Sequence, residues 1–187
     1  MKTMVYTFGR FQPPTKAHVM LVDQVVAEAA ARNADHAVLI SHTLDNVSNP
    51  LDWQSKYNTL KIACPTANLS GEYRTPFAAL EGYGKLQYEK VVLVVGSDRT
   101  AEFEHKMSEY TTRFGIKSFE VISSGERHNG FGFTNGFDGI SGFKTRSYVR
   151  AGNFTAFSDA LPGQLSLKEK TDIYNKIRCA ILVDELL

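Results

Sequence analysis

The chain reads as an α/β protein in which a parallel β-sheet lies between layers of helices, and three observations predict it. Short runs rich in β-branched residues alternate with segments of helical length: "MVYTF" at 4–8, "HAVLIS" at 36–41, "KVVLVVG" at 90–96 and "KSFEVIS" at 117–123. The run at 90–96 is apolar almost throughout instead of alternating, as a strand covered on both faces must be, so it is expected at the centre of the sheet. The 187 residues, 43% of them apolar, suffice for one sizeable core. The expectation is one domain over 1–187, with a glycine-rich loop at 125–142 and a helical extension at 155–187.

Each element has its own justification. "KAHVMLVDQVVAEAAARN", 16–33, has helical length and composition, with Asn33 as a stop, and joins the first two strands into a βαβ unit. "LDWQSKYNTLKIA", 51–63, is a second helix that must end by Cys64, because Pro65 disfavours helical geometry in the residue before it. "TPFAALEGY", 75–83, is a shorter helix, and "AEFEHKMSEYTTRFG", 101–115, is one closed by Gly115. Residues 125–142 carry six glycines interleaved with Phe131, Phe133 and Phe137, which predicts a long loop of the kind that closes over ligands. The tail from Ser166 opens on a capping box with Glu169 and spaces Ile173, Ile177 and Ile181 along one helical face.

Composition excludes several classes. Twenty-one basic and 20 acidic side chains leave a formal charge of +1, which gives no global field to draw the protein onto nucleic acid or an anionic membrane. Cys64 and Cys179 lack metal-binding or redox spacing and read as unpaired thiols in a reducing compartment. No apolar stretch approaches the roughly 20 residues of a membrane span, so a soluble, cytoplasmic protein is expected.

Phosphate chemistry, if present, is therefore local, and two helix starts point to it. A helix N-terminus carries about half a positive charge, so first turns usually hold Asp or Glu. Here Thr15, a good N-cap, is followed by Lys16, Ala17 and His18, with Arg10 just upstream. Ser141, another good N-cap, is followed by Gly142, Phe143 and Lys144, then Arg146 and Arg150. Cations stacked on the positive end of a helix call for an anion, and two such ends suggest one polyphosphate between them. Thr15 and His18, three residues apart, share one face of the opening turn.

These residues resemble a known family. "GRFQPPTKAH" is similar to the GRFQPxHxGH signature of archaeal-type nicotinamide mononucleotide adenylyltransferases, within the HIGH-motif nucleotidyltransferase superfamily. "ISGFKTR", 140–146, resembles the ISxTxxR motif, "SHTLDNVSNPLDW" the stretch after the second strand, and "VVGSD" the GxD after the central strand. The overall likeness extends to phage-encoded nucleotidyltransferases and cytidylyltransferases. This chain departs from the motifs at Thr15, which replaces the first histidine, at Ala17, which replaces the glycine, and at Phe143, which replaces the threonine.

The resemblance implies a Rossmann-like sheet with substrates at the carboxyl ends of the strands. It implies transfer of AMP from ATP to a phosphorylated acceptor, most simply nicotinamide mononucleotide, with Mg²⁺ arriving on the nucleotide. CTP-dependent transfer to a phosphorylated alcohol, and a nucleotide-binding or virion-associated protein without turnover, are the alternatives. His18, Thr15, Lys16 and Arg146 are the expected catalytic residues. Gly9, Arg10, Phe11, Ser141, Gly142, Lys144, Gly96 and Asp98 are expected around the nucleotide, and Trp53 and Asn49 near the acceptor. No resident metal, nucleic acid or membrane partner is expected; self-association is left open, as is the host cytoplasm as location if the gene is phage-borne.

Overall fold

The computed structural model describes residues 1–96, 99–124 and 140–185. Of the loop expected at 125–142, residues 125–139 lie outside the described residues, as does Asp98, and Gly142 already begins a helix. Five strands, β1 (Thr3–Gly9), β2 (Asp35–Ile40), β3 (Leu69–Ser70), β4 (Lys90–Val95) and β5 (Ser118–Ser123), form one sheet in the order β3-β2-β1-β4-β5, and every pairing is parallel. Tyr6 on β1 stands opposite Ala37 on β2 and Leu93 on β4, so the first strand lies at the middle with the apolar fourth beside it.

The winding reverses between β1 and β4: β1 to β3 step one way across the sheet, β4 and β5 the other. In open α/β sheets ligands bind at the carboxyl ends of the strands at such a switch point. Here those ends are Gly9 and Val95, the latter followed by Gly96.

Alternation along the strands feeds two cores. On one face Met4, Tyr6, Leu39, Val91 and Leu93 pack with α3 (Pro76–Lys85) and α4 (Thr100–Thr111) through Leu80, Tyr83, Phe103 and Met107. On the other, Val5, Val38, Ile40, Val92 and Val94 pack with α1 (Lys16–Ala31) and α2 (Trp53–Ala63) through Val22, Val25, Ala29, Leu60 and Ala63. A third cluster joins α5 (Gly142–Arg150), α6 (Phe154–Ala160) and α7 (Leu167–Glu185), whose stripe of Ile173, Ile177 and Ile181 packs on Phe157, Leu161 and Val149. Leu51, fully buried, belongs to this third cluster and thereby ties the segment before α2 to the C-terminal helices.

The element ends follow their caps. Helix α2 starts at Trp53 and not at Leu51, because the Asp52 side chain accepts the Ser55 N–H at 2.7 Å and makes Asp52 the N-cap. Helix α1 stops two residues short of Asn33, which turns out with φ 50°. The helix expected through 115 breaks after Thr111 into a 3₁₀ turn, Thr112–Phe114, closed by Gly115 at φ 75°. Ser166 and Glu169 form the expected capping box at the start of α7. Cys64 is buried, which pushes its thiol up to about 12, and Cys179 is exposed; neither forms a disulfide. Among the described residues no helix is long and apolar enough to cross a membrane.

Candidate nucleotide site

The site begins where β1 ends. The Gly9 carbonyl accepts the Ser41 N–H at 2.9 Å, so β1 and the chain leaving β2 finish side by side. A Cβ on Gly9 would sit 2.7 Å from the ring of Phe11, so only glycine lets that ring fold back under the strand. Phe11 adopts φ 50° and is 1% exposed, with its ring in the core shared with α1 and α2. Its ring therefore does not line a nucleotide cleft. It packs edge-on against the His18 imidazole instead, at 5.1 Å between centroids, and helps to hold that side chain.

His18 occupies the third position of α1, where a capping box would place Glu or Gln, and it performs that task. The Thr15 N–H donates to His18 Nδ1 at 3.0 Å, and Thr15 Oγ1 lies 2.9 Å from the same nitrogen. A backbone N–H only donates, so Nδ1 is the acceptor and the neutral ring carries its proton on Nε2. The cap thus fixes which nitrogen can donate. Thr15 is fully buried, which makes it the residue that orients His18. Ala17 is buried as well, Lys16 is half-buried and Arg10 is exposed.

The second helix start lies against the first. In α5 the Ser141 hydroxyl accepts the Lys144 N–H at 3.1 Å, an N-cap as its sequence predicts. A Cβ on Gly142 would fall 2.6 Å from the Gln12 carbonyl oxygen, so the absence of a side chain lets α5 abut the loop that leads into α1. One turn on, Arg146 reaches the same carbonyl: its Nη1 donates to Gln12 O at 2.5 Å. The two cationic helix starts, 120 residues apart and more in sequence, meet at Gln12.

Arg146 is the electrostatic anomaly of the molecule. It is 7% exposed, and its Nε is buried without a hydrogen-bond partner. Burial pushes its guanidinium below the ordinary arginine value, the charges of Arg10 and Arg150 push it the same way, and Asp45 opposes them. Asp45 is itself committed: its carboxylate accepts the N–H groups of Val47, Ser48 and Asn49 and the side-chain amide of Asn49. Those bonds, the Asn49 side chain first, hold its carboxyl down at about 2. Among the described residues no salt bridge to Arg146 forms. A buried cation with an unsatisfied donor and two like charges beside it is costly unless an anion arrives. Lys144 and Phe143, both exposed, stand on the first turn of the same helix.

Trp53 already stacks on two rings of this chain, His42 nearly parallel to it at 5.5 Å between centroids and Tyr57 at 5.0 Å. The backbone of Gly71 closes the edge of this stack, since a Cβ there would come within 2.5 Å of the indole nitrogen. Asn49 spends its amide nitrogen on Asp45, while its Oδ1 is buried and unpartnered. Two residues that sequence reasoning missed act here: Gln12, which binds Leu51, and Lys56, which is fully buried and donates to the Ser41 carbonyl at 2.5 Å. Burial pushes the Lys56 ammonium down to about 8, against the pull of Asp52. Nothing local in the sequence marked either, because both depend on partners distant in the chain.

Among the described residues no cluster of three or more His, Cys, Asp or Glu side chains that could hold a metal occurs. No family model matches the chain, and no curated protein matches it in sequence. Solved structures do match in fold. A nicotinic acid mononucleotide adenylyltransferase from Plasmodium falciparum, in complex with APC, is similar at TM-score 0.57 and 16% identity, over 94% of this chain and 98% of that one. A protein from Vibrio parahaemolyticus described as a nicotinate-nucleotide adenylyltransferase is similar at 0.55 and 14%, over 92% and 99%. A bifunctional NMN adenylyltransferase/ADP ribose pyrophosphatase from Francisella tularensis, in complex with AMP and a manganese ion, is similar at 0.55 and 13%, over all of this chain and 54% of that one. The chain has the Rossmann-like parallel α/β fold that these proteins share.

Proposed function

We propose that this chain is a nucleotidyltransferase that moves AMP from ATP to a phosphorylated acceptor, nicotinamide mononucleotide, giving NAD and pyrophosphate. The observation that carries the reading is Arg146: a buried guanidinium with an unpartnered Nε, flanked by Arg10 and Arg150, on a helix start that abuts the other cationic helix start. An anionic ligand of several charges at that junction removes the cost of the cluster. The shared fold with adenylyltransferases and the "GRFQP" and "NPLDW" segments support the adenylyl and nicotinamide assignments.

In this reading a phosphate oxygen of the acceptor attacks the α-phosphorus of ATP. One P–O bond forms as the bond to the β-phosphate oxygen breaks, and pyrophosphate leaves with the electron pair. Such transfer is positioning plus charge stabilisation, with no covalent enzyme intermediate. His18, protonated on Nε2, donates to the α-phosphate as charge builds there; Lys16 and the first-turn N–H groups of α1 add to it. Arg146, Lys144, Ser141 and the start of α5 hold the β and γ phosphates. In this reading Mg²⁺ comes with the triphosphate and would supply charge neutralisation there.

Two features favour testing a second reading. Phe143 is 70% exposed where the resembling motif has threonine, and Ala17 is buried where it has glycine. Both bear on turnover more than on binding. Pyrophosphate release with ATP or CTP, against a panel that includes nicotinamide mononucleotide and phosphorylated alcohols, separates the possibilities. NAD and pyrophosphate from ATP and nicotinamide mononucleotide are expected. Turnover only with CTP and an alcohol phosphate moves the chain to the cytidylyl branch, and ATP binding without turnover on any acceptor marks a binding protein.

A further inference from the structure

Gln12 is 3% exposed and stands where three segments meet. Both ends of its side-chain amide engage Leu51: Nε2 donates to the Leu51 carbonyl at 2.7 Å, and the Leu51 N–H donates to Oε1 at 2.9 Å, while Nε2 also makes a long bond to the Thr43 carbonyl at 3.5 Å. The side chain thus pairs with the Leu51 backbone as a neighbouring strand would. Its own main-chain carbonyl accepts from Arg146 Nη1 and is pressed by the start of α5 at Gly142. Leu51 is fully buried in the same apolar cluster as Val149 of α5, so the clamp joins the segment leading into α2 to the helix that carries Arg146.

We propose that Gln12 is a positioning residue that aims Arg146. By locking its side chain to Leu51 it fixes its own carbonyl, which anchors the buried guanidinium, and so couples the β2–α2 segment to the phosphate-holding side of the site. The inference rests on the reading of Arg146 as a phosphate ligand. Without the side-chain clamp, the carbonyl is free to shift, and the unpartnered Nε no longer points where an anion is held. A buried amide with both ends satisfied by backbone is strongly constrained in geometry, because each unmade bond leaves a desolvated polar group.

The test is a double-mutant cycle with inorganic tripolyphosphate as the probe, measured by titration calorimetry on the full chain. Gln12→Met keeps the volume and removes the two bonds to Leu51 together with the long one to Thr43. It is expected to weaken tripolyphosphate binding about tenfold in the wild-type background and less than about twofold in the Arg146→Lys background, since contacting residues couple and unlinked ones add. Gly142→Ala, whose added Cβ would crowd the same carbonyl at 2.6 Å and Arg146 Nη1 at 3.3 Å, is expected to give a loss of similar size, and it tests the carbonyl–guanidinium contact if Gln12→Met does not fold. Thermal melting is recorded for every variant. A Gln12→Met protein that melts earlier but binds tripolyphosphate as tightly as wild type is merely destabilised, and the positioning role is overturned. Equal losses in both backgrounds mean that Gln12 does not act through Arg146, which also overturns it. If the wild type itself fails to bind tripolyphosphate, the phosphate reading of Arg146 is refuted and this inference falls with it.

Discussion

The two helix starts look alike in sequence and are built differently. At the start of α1 the N-cap Thr15 is fully buried and His18 closes a capping box on it, so the residues that read as catalytic are also the residues that end the helix. At the start of α5 the cap is complete with Ser141 alone, and the cation one turn further in, Arg146, has a buried nitrogen with nothing to bond. The first start is internally satisfied and fixes a proton on one imidazole nitrogen. The second is unsatisfied. In the proposed reaction this becomes a division of labour, with α5 gripping the nucleotide already in the ground state and α1 presenting a donor whose value is realised as charge develops.

The largest expected effect comes from the unsatisfied side. Arg146→Ala removes a buried, charge-assisted donor, and truncating such groups typically costs 2–5 kcal/mol. Loss of ATP affinity is expected together with a fall in kcat/KM of roughly 10² to 10³. Calorimetry beside initial rates checks both. Retained ATP affinity in this variant would erase the distinction between the two helix starts.

His18 allows a sharper cut, because its two tasks call for different substitutes. His18→Ala loses both the cap and the donor: turnover is expected to drop by roughly 10² to 10³, and stability by about 1 kcal/mol. His18→Gln restores the residue type that capping boxes use at this position, so stability should return while turnover stays low. Denaturant midpoints and initial rates on the two variants separate the roles. If Gln recovers turnover as well as stability, His18 acts only by closing the helix.

Much of this architecture was legible in the sequence, and the reasons are specific. Strands such as 90–95 carry their own signal because a buried parallel strand must be apolar along its length, and Thr15, Ser141 and Ser166 announce helix starts through short-range bonds. The juxtaposition of the two cationic starts could be inferred because an unpaired charge at a helix end demands an explanation. What stayed hidden depends on tertiary partners. Strand β3 is two residues long, too short for any period to show. Trp53 reads as a ring without partners until the fold brings His42, eleven positions earlier, and Tyr57 to stack on it. Phe11 lies in the motif run and yet turns its ring into the core, because φ 50° reverses the chain there. Gln12 looks like a surface amide until it meets Leu51, and Lys56 like a solvated helix position until Ser41 closes over it.

Lys56 supplies the last and smallest prediction, a control on how the other cation buried near the carboxyl ends of the strands is accommodated. Unlike Arg146 it has a partner, the Ser41 carbonyl, and Asp52 in electrostatic reach, yet it is still displaced from an ordinary lysine, from 10.5 to about 8. A lysine whose folded value is lowered releases its proton in the native state while the unfolded chain still holds it. The unfolded state therefore binds more protons between about 8 and 10.5, and the contribution of Lys56 to stability rises with pH across that window. Below 8 the charged form is buried at a cost. Lys56→Met removes the charge and the bond together, so at pH 7 it is expected to match or exceed the wild type in stability, by on the order of 1 kcal/mol, as replacements of buried charges by apolar groups often do. As pH rises from 7 to 10 the wild type should gain on the variant, because only the wild type sheds the penalty. Urea midpoints of both proteins at matched pH give the difference directly, and titrations common to both cancel. A variant that is strongly destabilised at pH 7, with a gap that does not change with pH, would mean that Lys56 is held as a well-paired cation, and the contrast with Arg146 would then lie in pairing alone and not in burial.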